Sequence, residues 1–238
     1  MVQRHGTYMT GHALARMAGD NAELLARNYA RLEPPGMWPL TFDAVVECHN
    51  QARALHGAGV VPTGILGSPN GRGHHTGQAL SEGFAGASGG DWLPFECADA
   101  LDYPVYNYDR VLEVLRQGHG DSMAASWLNG RAPELVANLQ PREFRRTVMC
   151  FLCERLTIRS PQPLEILTTH FENVLLVHSL CVDGNDLGSV DEAWVPPKNG
   201  GVLLYTEHGI LLACDYASDY DVVGKPVVVN QAIAFQDR

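Results

Sequence analysis

The feature that most constrains this fold is a short apolar strand that leads directly into a glycine-rich turn and a helix. Residues 64–67 have the composition of a buried strand, and residues 68–76 supply the turn and the helix start. A second apolar strand, at 164–168, is followed by His170 and by a helix over 173–180. Strand–turn–helix units build parallel α/β sheets and present backbone N–H groups to anions at the helix start. We therefore predict a three-layer αβα sandwich.

Apolar spacing and turn residues predict the other elements. Helices are expected over residues 11–32, 76–80, 122–128, 133–139 and 141–156. Two more are expected to begin at a capping residue: one runs from the N-cap Thr41 to residue 57, and one from the cap Asp109 to residue 115. A hairpin over 201–216, turning at 208–209, places antiparallel strands at one edge of a mostly parallel, mixed sheet. Only residues 1–3 precede Arg4 as a strand, so that strand is very short or the chain start is clipped.

Length and composition predict one domain over residues 1–238. Residues 83–108 are rich in glycine, proline and aromatics, and we expect an irregular excursion, extending to about residue 140, that covers the site. A hydrophobic fraction of 45% is sufficient for a packed core. Whether the chain forms a homo-oligomer stays open.

Charge and apolar runs restrict partners and location. The formal net charge of −10 argues against nucleic acid or an anionic membrane as a partner, though a local basic pocket can still bind a small anion. No stretch has the length of a transmembrane helix, and the first residues have no signal-peptide core, so a cytoplasmic protein is expected. Cys150 and Cys153 form the chain's one CxxC, which at helical spacing predicts core cysteines rather than a metal or redox site.

Two histidines with neighbouring cations suggest phosphoryl chemistry. Arg4-His5-Gly6 offers a nucleophile beside a guanidinium, and His170 follows the second strand. Histidine can carry a phosphoryl group covalently, and arginine matches phosphate oxygens in bidentate fashion. Phosphoryl transfer depends mostly on positioning and charge neutralisation, which these residue types supply.

Four features stand in one order along the chain: Arg4-His5-Gly6, then Pro39-Leu40-Thr41 with Gln51-Ala52 downstream, then Ser68-Pro69-x-x-Arg72-x-x-x-Thr76, then the strand before His170. This order resembles the histidine phosphatase superfamily, which has the phosphoglycerate-mutase-like fold. The resemblance spans residue 4 to about residue 205. It implies that His5 becomes phosphohistidine, that His170 assists catalysis, and that Arg4, Arg72 and Ser68 bind the phosphate. No cofactor or metal is implied, although His74 and His75 lie beside the loop.

The chain also departs from the family pattern. Gly73 replaces the alanine after the motif arginine, and the usual glycine between the second motif's two parts is absent. Residues 7–10 do not supply the acid or arginine that often follows RHG, which leaves one phosphate contact unassigned.

The leaving oxygen needs an acid, ideally a carboxyl group whose pKa is raised by burial or a like charge. In the family this acid is a glutamate in the excursion or an aspartate directly after the late histidine, where Phe171 stands here. We take Asp102 first, with Glu172 and Glu96 as alternatives.

These residues predict a metal-independent phosphatase acting on a small phosphorylated metabolite. Residues 77–109 contain no lysine or arginine for a second acid group, which favours hydrolysis over mutase chemistry. A phosphomutase of the same fold and a non-catalytic module that binds a phosphorylated ligand remain the alternatives.

Overall fold

The structure is a computed structural model. It describes residues 1–4, 6, 22–32, 39–117, 123–157, 164–185, 189–191, 194–196, 198–208, 210–216 and 222–230.

A seven-stranded sheet forms the centre of the fold. Its strands are β1 (Val2–Arg4), β2 (Gly64–Gly67), β3 (Phe95–Cys97), β4 (Glu165–Thr169), β5 (Gly201–Glu207), β6 (Ile210–Tyr216) and β7 (Val222–Val228). They lie in the order β3-β2-β4-β1-β5-β6-β7, with β1 to β4 parallel and β5 to β7 antiparallel. The predicted mixed sheet with an antiparallel edge is confirmed.

Helices cover both faces of this sheet. They are α1 (Ala22–Tyr29), α2 (Phe42–Gly57), α3 (Gly71–Ser88), α4 (Tyr108–Arg116), α5 (Met123–Leu128), α6 (Pro141–Thr157) and α7 (Phe171–Cys181), with 3-10 turns at Asp99–Leu101 and Pro133–Leu135. Successive strand residues point to opposite faces. Ile65 and Ile166 accordingly pack in a cluster with α2 and α3, whereas Leu66 and Leu167 pack in a larger cluster with α6 and α7. Two cores on one sheet make the predicted three-layer αβα sandwich.

The structure confirms several predicted ends of helices and strands. Thr41 caps α2, because its Oγ1 accepts a hydrogen bond from Ala44 N at 3.2 Å, and the helix ends at Gly57. Pro141 occupies the first position of α6. The hairpin of β5 and β6 turns at His208, as expected. Within the predicted helix over 11–32, the described part is α1; residues 11–21 lie outside the described residues.

The prediction that residues 83–108 are irregular is wrong for residues 83–88 and 95–97. Helix α3 continues through Ser88, and β3 then adds to the sheet beside β2. Gly83, one of the glycines in that range, lies where α3 crosses α2, and a Cβ there would meet Ala52 Cβ at 2.7 Å. Close helix packing therefore requires the glycine and compensates for its poor helix propensity.

Two further helix predictions need correction. Helix α4 starts two residues earlier than expected, since Asn107 rather than Asp109 is the cap: its Oδ1 accepts from Arg110 N at 3.2 Å. The expected helix over 133–139 is only the 3-10 turn Pro133–Leu135. The single domain over 1–238, with an excursion that covers the site, stays a prediction. None of the described helices has both the length and the apolar character needed to cross a membrane.

Candidate active site

The site residues follow three neighbouring parallel strands at their carboxyl ends. Arg4 at the end of β1 pairs in register with Thr169 at the end of β4. Gly67 at the end of β2 pairs with Thr168. Ser68 and His170 come directly after these strands, so both lie at the edge where open α/β sheets bind ligands.

The buried Ser68 hydroxyl joins the third and fourth sequence motifs. Its Oγ accepts from Asn70 N at 3.0 Å and donates to Asp102 Oδ1 at 3.0 Å. His170 Nε2 lies 2.8 Å from the same oxygen. When Asp102 is ionised, the single hydroxyl proton goes to Asp102, and His170 then donates its Nε2–H to Ser68. The tautomer of His170 is thereby set, and the hydroxyl makes three hydrogen bonds, which is its full capacity.

Asp102 lies at the junction of this network. Besides Ser68, its Oδ1 accepts from Tyr103 N at 3.0 Å, and its Oδ2 lies 2.7 Å from Arg31 Nη2. His170 Nε2 is 3.7 Å from Oδ1. Burial raises the pKa of the Asp102 carboxyl above its ordinary value, although Arg31, the Ser68 hydroxyl and the Tyr103 N–H oppose the shift. A carboxyl group in this state can hold a proton and deliver it.

A group of cations surrounds His170. His170 is 1% exposed, and burial lowers its pKa well below the ordinary value, assisted by the charges of Arg72, Arg31, Lys198 and Arg4. Arg72 is 3% exposed, and its guanidinium carbon lies 5.3 Å from the centroid of the Tyr103 ring. His170 is therefore neutral in a strongly electropositive pocket, although the chain as a whole carries a net charge of −10.

Sequence reasoning missed Lys198. Arg4 anchors the segment around it: Arg4 Nη1 donates to Pro196 O at 2.6 Å, and Arg4 N donates to Gly200 O at 2.9 Å. Burial, followed by the charges of Arg4 and Arg72, lowers the pKa of Lys198 to about 6. No motif marked this lysine, because its place depends on a contact between segments almost 200 residues apart.

The other motif residues connect the segments of the site. Gln51 Nε2 donates to Asn199 O at 2.7 Å, and its Oε1 accepts from Gln3 Nε2 at 3.0 Å. Thr76 Oγ1 accepts from Gly6 N at 3.1 Å and donates to Arg72 O at 2.9 Å. The second and third motifs thus hold β1 and the lysine-bearing segment in place.

Residues that carry no family motif support Asp102. Asn173 Nδ2 donates to Leu101 O at 3.0 Å and to Asp102 O at 3.1 Å, which ties this segment to α7. The Tyr103 ring packs edge-on against His170 at 4.7 Å between centroids. Arg31 also donates to Tyr103 O. An asparagine in a helix or a tyrosine in a loop has no local signal for such a role, so sequence alone did not find Asn173 and Tyr103.

The predicted carboxylates occupy three different environments. Asp102 contacts the Ser68–His170 pair as described. Glu172 is buried, and its Oε1 accepts a hydrogen bond from Tyr106 OH at 2.9 Å. With Arg4 it lines a small cavity of about 80 Å³. Burial raises the pKa of the Glu172 carboxyl group. Glu96 is exposed on the edge strand β3, and nothing described brings it to His170.

His5 lies outside the described residues, but its two chain neighbours, Arg4 and Gly6, are both held at the site. His74 and His75 stand in the first turns of α3, where His74 Nδ1 lies 3.3 Å from Cys97 Sγ. In the described part of the chain, no group of three or more histidine, cysteine, aspartate or glutamate side chains is arranged to hold a metal ion.

A cavity of about 990 Å³ opens beside Asp102. It shares Arg31, Asn70, Asp102 and Tyr103 with the site. The rest of its described lining is mostly apolar and comes from Pro69, from residues 99–107 and from the segment 136–147.

Comparison with solved structures identifies the fold. A mycobacterial glucosyl-3-phosphoglycerate phosphatase superposes with a TM-score of 0.54 at 11% identity, over 95% of this chain and 94% of that one. A phosphoserine phosphatase variant from Entamoeba histolytica, in complex with phosphoserine, gives 0.52 at 12% identity over 89% and 92%. The YhfR protein of Bacillus stearothermophilus gives 0.54 at 15% identity over 88% and 92%.

No protein-family profile matches the sequence, and no curated protein matches it. The likeness is therefore one of structure. The chain has the phosphoglycerate-mutase-like fold, as the order of its motifs predicted.

Proposed function

We propose that this protein is a phosphatase that hydrolyses phosphomonoesters through a phosphohistidine on His5, without a metal ion. One observation carries the proposal. Arg4 and Arg72 act electrostatically on the neutral His170, which contacts a carboxyl group of raised pKa through Ser68. Such an arrangement fits a phosphoryl dianion beside a proton donor.

In the first step, a His5 ring nitrogen attacks phosphorus while the bond from phosphorus to the ester oxygen breaks. The cations neutralise the phosphoryl oxygens, and His170 donates a hydrogen bond to the transferring group. That donation requires His170 Nε2–H to leave Ser68 or to be shared with it. Asp102 gives its proton to the departing alkoxide, so the alcohol leaves neutral and Asp102 becomes a carboxylate.

In the second step, water attacks the phosphohistidine and the bond from phosphorus to nitrogen breaks. The Asp102 carboxylate accepts the proton that the water loses, which restores the starting state. Arg31, which forms an ion pair with Oδ2, stabilises the carboxylate between the two steps. Phosphate binding by the Ser68 hydroxyl stays a prediction, and it requires one of its three hydrogen bonds to break.

The similar structures support this choice of reaction. Two of them bear the names of phosphatases, for glucosyl-3-phosphoglycerate and for phosphoserine, which are both phosphomonoesters. At 11% and 12% identity they show the fold, and the chemistry rests on the residues of this chain.

The test is hydrolysis of 4-nitrophenyl phosphate in the presence of a chelator, with released inorganic phosphate measured. Rapid acid-free quenching with labelled substrate should trap an acid-labile, alkali-stable label on the protein. His5→Ala should abolish both turnover and label, whereas His56→Ala, a histidine in the last turn of α2, should change neither.

Arg72→Ala should weaken competitive inhibition by inorganic phosphate and slow turnover, since it removes charge in both the ground and transition states. Full activity of His5→Ala would refute the proposal. Phosphate binding without turnover would instead identify a non-catalytic module, and label passed to an added alcohol in preference to water would identify a mutase.

A further inference from the structure

The proposed function does not explain the cavity of about 990 Å³ beside Asp102. We infer that this cavity receives the alcohol part of the substrate and selects phosphomonoesters of bulky, apolar, uncharged alcohols. The inference rests on the proposed function and deepens it.

Geometry links the cavity to the leaving oxygen. Asp102 lines the cavity and contacts Ser68, and Asn70 and Tyr103 also belong to both the cavity and the site. A leaving oxygen within reach of the Asp102 proton therefore has its carbon chain at the cavity mouth. The volume lies near the upper end of the range for small-molecule sites, so it suits a large alcohol better than a three-carbon one.

Apolar side chains form much of the described wall: Pro69, Ala100, Pro104, Val105, Val136, Ala137, Leu139 and Phe144. Val136 and Phe144 are buried and build a fixed wall. Val105 is 49% exposed, which leaves an apolar surface that a bound apolar group would cover.

Charge disfavours an acidic alcohol. The charged side chains in the described lining are Arg31, Asp99 and Asp102. Arg31 Nη2 is already engaged by the protein, since it lies 2.7 Å from Asp102 Oδ2 and donates to Tyr103 O. A carboxylate or second phosphate on the alcohol would meet Asp99 without a spare cation among these residues, and like charges repel.

The first experiment measures kcat/KM for n-alkyl phosphates from ethyl to octyl. Beyond ethyl phosphate, the pKa of the leaving alcohol hardly changes, so a rise in kcat/KM with length reports burial of the alkyl chain. We expect an increase of about two- to fourfold per methylene until the cavity is filled, since a fully buried methylene contributes up to a factor of about four. A terminal carboxylate on hexyl phosphate should lower kcat/KM by about four- to sixteenfold, because it removes the apolar gain of roughly two methylenes.

Variants locate the effect. Val105→Asp should lower the ratio of octyl to ethyl phosphate turnover by at least about tenfold, because it places a charge on the apolar wall. Val61→Asp is the matched control, since Val61 is similarly exposed at 57% but does not line the cavity; its ratio should stay unchanged.

Alkylphosphonates, which cannot be hydrolysed, separate the inference from the proposed function. Their dissociation constants, measured by calorimetry, should fall with chain length even if the protein turns nothing over. Dissociation constants that do not change with alkyl chain length would overturn the inference. Tighter binding of an alkylphosphonate that carries a terminal carboxylate would also overturn it. Hydrolysis of ethyl and aryl phosphates alongside a flat series would leave the phosphatase intact and refute only the assigned substrate class.

Discussion

Asp102→Asn tests which carboxyl group is the proton donor. The substitution keeps most of the local geometry: an asparagine carbonyl oxygen can still accept from Ser68 Oγ and Tyr103 N, as Oδ1 does at 3.0 Å. Its amide nitrogen replaces Oδ2, which faces Arg31 at 2.7 Å. The ion pair is lost, and since Arg31 is 34% exposed the structural cost is about 1 kcal/mol.

Loss of the acid should cost far more than loss of the ion pair. General acid catalysis contributes about 10²- to 10⁴-fold, or roughly 3 to 5 kcal/mol of barrier. An alkyl leaving group requires this proton, whereas 4-nitrophenolate leaves readily without it. Asp102→Asn should therefore slow alkyl phosphates by at least about 100-fold and 4-nitrophenyl phosphate by less than about fivefold, the latter being the size of the structural effect.

Steady-state kcat/KM on both substrates measures this contrast, and single-turnover rates check that the first step is affected. Glu172→Gln, which preserves the hydrogen bond from Tyr106 OH, should show no dependence on leaving group. Glu96→Gln on the exposed edge strand serves as a second control. Equal slowing of both substrates by Asp102→Asn would refute the assignment. A leaving-group dependence in Glu172→Gln would transfer the role to that residue.

Three further predictions concern pH and packing. Arg31 lowers the pKa of Asp102, so Arg31→Met should raise that pKa. The pH at which alkyl phosphate turnover falls off on the alkaline side should then move upward. A limb that stays in place or moves to lower pH would contradict this. Lys198 is mostly neutral above its pKa of about 6, so phosphate binding there should take up a proton and should weaken as pH rises. Calorimetry in buffers of different ionisation enthalpy should detect this proton uptake in the native protein and not in Lys198→Met. Gly73→Ala would bring a Cβ within 2.7 Å of Ser68 Cβ and should lower both activity and the free energy of unfolding, the latter by about 1 to 3 kcal/mol. Gly86→Ala in the same helix meets nothing within 4 Å and should stabilise by about 0.4 to 1 kcal/mol, as thermal unfolding would show.

The two strand–turn–helix units were predictable because their signals are local. Apolar runs at 64–67 and 164–168, each followed by a helix, predicted the parallel core of the sheet, and the order of the motifs predicted the fold family. The cap at Thr41 and the first turn at Pro141 depend on a few neighbouring residues, and both were correct. Where glycine, proline and aromatic content was the guide, at residues 83–88, the prediction failed because α3 packs closely against α2 at Gly83.

The candidate site depends on contacts that no local pattern encodes. The sequence pointed to Arg4, Ser68, Arg72 and His170 through their motifs, and to Asp102 only as one of several carboxylates. The hydrogen bonds that join Ser68, His170 and Asp102 cross separations of 34 and 102 residues. Lys198, Arg31 and Tyr103 reach the site from segments with no motif. Their positions, the shifted pKa values and the apolar cavity exist only once the sheet has brought these segments together, because burial and electrostatic interaction are properties of the packed chain.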